Sequence, residues 1–238
     1  MTPGDKSDAV RFRERILTRA GRRAPRPLIT RIKRLIAAPL GWNLHALAVV
    51  WGADKARHQH GYTTHYARHV KRRSVRCMLE IGIGGYDDPA VGGSSLMMWR
   101  NYLPKATIYG LDLYEKHLEA PRVIVLQADQ SDPASLERAV ADCPPFDFVV
   151  DDGSHIASHT RTAFETLFPK LKPGGLYAIE DLWWAYESEY EGGPPGTPGT
   201  AVDLIQRLID RTQAGSGAHD IAELHVFNHL VLIRKAEN

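Results

Sequence analysis

The chain has 238 residues, 43% of them hydrophobic and 24% charged, with a net charge of +2. That length suits one sizeable domain with an appendage, and the composition is that of a chain with an ordinary packed core. No apolar run approaches the ~20 residues that span a bilayer, and two cysteines, Cys77 and Cys143, cannot build a disulfide framework.

The N-terminus is charged from the start and has no apolar leader, so a reducing cytoplasm is the expected setting. Residues 1–40 hold eleven Lys/Arg against three Asp/Glu, which leaves the rest of the chain net acidic. Arginine and lysine alternate there with Ile16, Leu17, Leu28, Ile29, Ile32, Leu35 and Ile36, a helical amphipathic pattern. No aromatic residues interleave to stack bases, so no nucleic-acid partner is expected. Residues 1–53 therefore read as a basic helical extension broken by Pro25, Pro27 and Pro39. Its apolar faces suit a subunit contact, and a homo-oligomer is expected, a dimer first.

From residue 54 to 238 the pattern is that of a second unit. A helix is predicted over 63–73, with Thr63 or Thr64 as its cap. Short apolar runs then alternate with amphipathic ones. Strands are predicted at Cys77–Ile83, Ala106–Leu113, Arg122–Ala128, Phe146–Val150 and Leu176–Ile179. Helices fall between them at Ser94–Tyr102, Pro133–Asp142 and His155–Lys172, with Asp132-Pro133 as a start signal for the second. Lys172-Pro173-Gly174-Gly175 reads as a turn into the next strand. Near-continuous apolar strands separated by helices predict an α/β fold with a doubly wound, mostly parallel sheet. The Pro/Gly run at 192–199 reads as a lid loop, followed by a helix over Ala201–Gln213. Glu223–Asn228 and Leu230–Lys235 read as an antiparallel strand pair that finishes the sheet.

The first strand runs into glycines at Gly82, Gly84 and Gly85, where a doubly wound sheet binds its ligand. The second strand ends in Asp112, which can accept hydrogen bonds from ribose hydroxyls. The third ends in Asp129 and Gln130, placed to meet an adenine edge. A dinucleotide fingerprint would need a third glycine beneath a pyrophosphate, but position 87 is Asp87, followed by Asp88. Negative charge there repels phosphate, and Glu80 before the turn suits a cationic ligand. S-adenosylmethionine, a sulfonium without phosphate, is the better match.

Asp151-Asp152-Gly153-Ser154-His155 follows the fourth strand and Glu180-Asp181 the fifth. Neighbouring parallel strands lie about 5 Å apart, so these ends bring several carboxylates and an imidazole together. Crowded carboxylates repel unless they share a proton or a cation, and hard oxygen ligands suit Mg²⁺, with Mn²⁺ as a substitute. Asp152, Glu180 and Asp181 are the candidate metal ligands, while Asp151 reads as a structural acid. An alcohol must lose its proton before it attacks a sulfonium methyl, and His155 is the candidate general base.

Several separated motifs resemble the macrocin/mycinamicin type of sugar O-methyltransferase. They are Glu80-Ile81-Gly82-Ile83-Gly84-Gly85-Tyr86, Gly92-Gly93-Ser94-Ser95-Leu96, Asp151-Asp152-Gly153-Ser154-His155 and Ile179-Glu180-Asp181. Upstream, Gly52-Ala53-Asp54-Lys55, His60-Gly61-Tyr62-Thr63 and His65-Tyr66 look like the family's segment covering the cofactor. The resemblance spans about residues 50–190. It implies a Rossmann-like class I methyltransferase fold and Mg²⁺-dependent methylation of a saccharide or glycoside hydroxyl. One acceptor it brings in is the reducing-end 1-OH of a methylmannose polysaccharide precursor. It implies Gly82, Gly84, Ser94, Asp112, Asp129 and Tyr62 at the cofactor, with the metal and base residues as above. The short basic N-terminus and the Pro/Gly loop depart from the antibiotic enzymes and put a macrolide acceptor in doubt. Two other readings compete: a nicotinamide-dependent oxidoreductase on a similar sheet, and a non-catalytic nucleoside-binding protein.

Overall fold

The computed structural model describes residues 26–56, 58–213 and 220–237. The expectation for residues 1–25, with Ile16 and Leu17, lies outside the described residues.

Cys77–Ile81 is buried at every position, which a strand achieves only inside a sheet covered on both faces. This strand, β1, pairs in parallel with β2 (Thr107–Asp112) on one side and β4 (Phe146–Asp151) on the other. Outside these lie β3 (Val123–Gln127) and β5 (Leu171–Ile179), also parallel. A two-residue turn joins β6 (Ile221–Phe227) to β7 (Leu230–Lys235), and β7 runs antiparallel between β5 and β6. The order of the seven strands is β3-β2-β1-β4-β5-β7-β6. It reverses direction between β1 and β4, and ligands of doubly wound sheets bind at that reversal.

Two apolar layers cover the sheet. One side packs Leu47, Trp51, Tyr66, Trp99 and Phe148, and the other packs Leu79, Phe146, Phe164, Tyr177 and Leu208. The first layer includes α2 (Leu44–Trp51), capped by Asn43, whose side chain accepts from the Ala46 amide, and ended by Gly52 at φ +77°. It packs on α4 (Ser94–Tyr102), the crossover from β1 to β2. Ahead of it, α1 (Arg26–Ala37) carries Pro27 in its first turn, where the missing N–H costs nothing, so this proline starts a helix and breaks none. Along α1 only Ala37 among the described side chains is buried; Lys33 donates to the Trp51 carbonyl at 2.9 Å, while Leu28, Ile32, Leu35 and Ile36 are exposed.

Several boundaries differ from the sequence expectation; β1 stops at Ile81, before the glycine turn. Helix α3 is Thr63–His69, shorter than 63–73, because Val70 turns extended; Tyr62 precedes it, and Thr63 is inside it and caps nothing. Helix α5 (Pro133–Ala139) starts as expected, with the Asp132 side chain accepting from the Ala134 amide, but stops short of Asp142. Helix α6 runs Ala157–Leu167 and excludes His155, whose φ of +60° no right-handed helix admits. Lys172-Pro173-Gly174-Gly175 is no separate turn; it lies within β5, opposite an irregularity in its pairing with β4. The last helix, α7, is Ala201–Gln213.

Candidate functional site

Ile81 stands beside Asp151, and Asp151 beside Ile179, so the carboxyl ends of β1, β4 and β5 are level. Backbone bonding carries each strand one residue further: Asp152 N–H reaches the Ile81 carbonyl and Glu180 N–H the Asp151 carbonyl, both at 3.0 Å. The glycine turn, Asp152 and Glu180 thus share one edge of the sheet.

Gly82 sits at φ +90°, and a Cβ there would lie 2.0 Å from the Asp152 carbonyl oxygen. Gly84, at φ +77°, has nothing within 4 Å of the same point, which leaves room above the turn. The turn closes where Gly93 N–H meets the Ile83 carbonyl at 2.8 Å, and Ser94 opens α4 beside it. Asp112 faces this turn, accepting from the Ile83 amide at 2.9 Å and the Tyr114 amide at 3.0 Å. Each carboxylate oxygen keeps a second lone pair for a ligand hydroxyl.

Three expected cofactor residues stand differently from the simple expectation. Gln130 is buried, donating to Asp151 at 2.7 Å and accepting from the Ser154 amide at 3.0 Å, so its amide is spent inside the protein. Glu80 is wholly buried under the turn, 3.3 Å from Lys55. Tyr62 directs its hydroxyl at Asp181, 2.6 Å away. Asp129 is exposed just past the end of β3, where bonds from the Ser131 hydroxyl and amide hold its carboxyl below the usual range.

Asp152, His155 and Asp181 converge, with one donor atom from each within 4.8 Å of the others. Glu180 lies deeper: one oxygen takes Lys55 Nζ at 2.6 Å and the other the Tyr66 hydroxyl at 2.5 Å. His60 Nδ1 stands 3.6 Å from Asp181. Residues 55–66 therefore reach the acids with an ammonium, two phenols and an imidazole. Sequence reasoning placed this segment only through resemblance and assigned Lys55 and Tyr66 no role. No local pattern marks a lysine for burial, and fully buried lysines are rare unless paired.

Electrostatics follow the burial. Loss of water pushes Glu180 and Asp152 up, and the nearby Lys55 ammonium pulls both back. Burial raises Glu80 to about 7 and Asp151 to about 7. For Lys55 burial acts downward, but Asp152, Glu180, Glu80 and Asp54 together hold it well above the usual lysine value.

An aromatic stack adjoins His155. Trp184 lies nearly parallel to the imidazole at 6.4 Å and stacks with Trp183 at 3.5 Å, with Tyr190 tilted against it at 4.2 Å. The 192–199 loop is anchored at both ends on or near α6: Glu191 accepts from Ser158, and Arg161 donates to the Gly199 carbonyl.

A doubly wound sheet with a glycine turn after β1, an acid after β2 and an antiparallel β6–β7 close is the class I methyltransferase fold. Within that class the sequence is similar to the macrocin/mycinamicin type of sugar O-methyltransferases, at about 41% identity over most of the chain. An 8-demethyl-8-alpha-L-rhamnosyl tetracenomycin-C 2'-O-methyltransferase from Streptomyces olivaceus is 41% identical over 232 residues, covering 90% of this chain and 61% of that protein. A mycinamicin VI 2''-O-methyltransferase from Micromonospora griseorubida is 41% identical over 75% of this chain and 49% of its own. The solved MycE methyltransferase, in complex with Mg, SAH and mycinamycin VI, superposes with a TM-score of 0.77 at 41% identity, covering 82% of this chain and 54% of that one. The chain thus spans about half to three-fifths of the length of these relatives. No family model matches it. Among the described residues, no helix is long and apolar enough to cross a membrane.

Proposed function

We propose that this chain transfers the methyl group of S-adenosylmethionine to a hydroxyl of a saccharide or glycoside, with Mg²⁺ bound at the acidic cluster. The observation that carries this reading is the convergence of Asp152, Asp181 and His155 at strand ends adjoining the glycine turn and Asp112. The relatives support it, being named as O-methyltransferases of glycosylated natural products, one of them solved with Mg and SAH.

The donor set fits a hard divalent cation. Asp152 and Asp181 offer carboxylate oxygens at one point, and Glu180 keeps a lone pair on each oxygen beyond its bonds to Lys55 and Tyr66. Asp152, Glu180 and Asp181 would hold Mg²⁺, and Mn²⁺ accepts the same ligands. When bound, such a cation lowers the pKa of a coordinated oxygen acid. His155 then accepts the acceptor hydroxyl's proton at a ring nitrogen. Tyr62 fixes the Asp181 carboxylate by donating to it. Gly82, Gly84 and Ser94 shape the turn under the cofactor, Asp112 takes the ribose hydroxyls, and Asp129 stands at the adenine side. Glu80, buried beneath the turn, faces the Lys55 ammonium at 3.3 Å.

The same reading takes the protein as a cytoplasmic homo-oligomer, a dimer first, with a place in polysaccharide or glycoside biosynthesis; light scattering tests the assembly. The main test is incubation with methyl-labelled cofactor, Mg²⁺ and an acceptor panel that includes rhamnosides and short methylmannosides. Label in a sugar ether is the expected result. No transfer to any acceptor, together with binding of NAD(H) and none of S-adenosylhomocysteine, would overturn it in favour of an oxidoreductase.

A further inference from the structure

The ammonium of Lys55 is wholly buried where the ends of β1, β4 and β5 meet. Its Nζ lies 2.6 Å from Asp152 Oδ2, 2.6 Å from Glu180 Oε2 and 3.3 Å from Glu80 Oε1. Three donors thus meet three carboxylates, one from each strand end. We propose that Lys55 is a positioning residue of the metal site, holding Asp152 and Glu180 so that their remaining lone pairs face the divalent cation. This rests on the metal reading above.

Two features make Lys55 suited to that task. Its backbone is tied down: the Thr63 amide bonds the Lys55 carbonyl at 3.0 Å, the Gly61 amide the Ala56 carbonyl at 2.9 Å, and the His60 amide the Asp54 carbonyl at 3.2 Å. The amine therefore projects from a fixed knot and not from a loose loop. It also stands on the buried side of the cluster, wholly enclosed where Asp152 is partly exposed. It takes Oδ2 of Asp152, while Asp152 still converges with Asp181 and His155, both partly exposed. Glu180 is fixed at both oxygens, by Lys55 and by Tyr66. Without the ammonium, three carboxylates would face one another in a buried space, and such groups swing apart or take up protons.

A lysine that merely balances charge makes the opposite prediction. Removing a positive charge next to a cation site strengthens the attraction for the cation, since like charges oppose each other. The sign of the change therefore separates positioning from charge balance.

The experiment is a titration of the full chain with Mn²⁺, following free Mn²⁺ by electron paramagnetic resonance, for wild type, Lys55→Met and Lys55→Gln. We expect Lys55→Met to weaken Mn²⁺ binding at least tenfold. Lys55→Gln, which keeps a donor without charge, should lose less. S-adenosylhomocysteine affinity measured in EDTA, together with circular dichroism, shows that the variants are folded. If Lys55→Met does not fold, Lys55→Gln carries the test alone and should still weaken Mn²⁺ binding severalfold. A wild type that binds Mn²⁺ and a folded variant that binds it equally or more tightly overturn the proposal. A wild type that takes up no Mn²⁺ overturns the metal reading itself, and the proposal with it.

Discussion

Gly82 and Asp152 meet backbone to backbone: a Cβ on Gly82 would stand 2.0 Å from the Asp152 carbonyl oxygen. The glycine turn and the acidic strand end are therefore packed directly against each other. At φ +90° an alanine is strained even before the clash. Gly82→Ala should cost more than ~2 kcal/mol, counting backbone strain and the forced shift. It should also weaken both S-adenosylhomocysteine and Mn²⁺ binding. Urea denaturation and calorimetry check this, and normal affinities in a stable variant would contradict the close approach.

Asp112 accepts from the Ile83 amide and faces the same turn. A hydrogen bond to a charged group contributes ~1.5–3 kcal/mol, so Asp112→Ala should weaken S-adenosylhomocysteine binding at least tenfold. A small loss of stability should accompany it, because the Ile83 amide loses its partner. Unchanged affinity by calorimetry would remove Asp112 from the cofactor site.

Methyl transfer should vanish when the metal is stripped with EDTA and return with Mg²⁺, or with Mn²⁺ in its place. Full turnover by stripped enzyme in excess chelator would show that His155 works unaided.

His155 and Asp152 lie in one cluster but should fail differently. His155→Ala should slow the chemical step by about 10²–10⁴-fold, the usual share of proton transfer, with Mn²⁺ affinity little changed. Asp152→Ala should lose Mn²⁺ affinity as well as rate. Single-turnover kinetics beside a Mn²⁺ titration separate the two, and loss of metal from His155→Ala would make the imidazole a ligand.

Burial pushes Asp151 up to about 7 from an ordinary 3.8, and Glu80 up to about 7 from 4.5. Both folded values lie above the unfolded ones, so the native state holds protons that the unfolded chain has released. Their contribution to stability is complete below about pH 4, is lost as pH rises towards about 7, and is level above that. A tenfold change in proton affinity corresponds to ~1.4 kcal/mol, so the two acids together contribute on the order of several kcal/mol. Asp151→Asn should flatten the fall in urea midpoint between pH 5 and pH 8. A slope equal to that of wild type would place the titration elsewhere.

The sheet was readable from the sequence because buried parallel strands are near-continuous apolar runs, as in Cys77–Ile83 and Phe146–Val150, each carrying a single acid, Glu80 or Asp147. Glycines and acids at the ends of those runs marked one edge of the sheet as the candidate site, since strand ends in a doubly wound sheet lie side by side. Asp132-Pro133 announced a helix start through purely local chemistry. The orientation of side chains within the site was beyond such local rules. Gln130 turns inward onto Asp151, and His155 takes a left-handed backbone where helical spacing predicted the first residue of a helix. Tyr62 and Tyr66 deliver their hydroxyls to Asp181 and Glu180. Lys55 reaches Asp152 across 97 residues and Glu180 across 125. Local sequence encodes periodicity, turns and caps, whereas partners so far apart in the chain are chosen only when packed layers bring them together and remove the water between them.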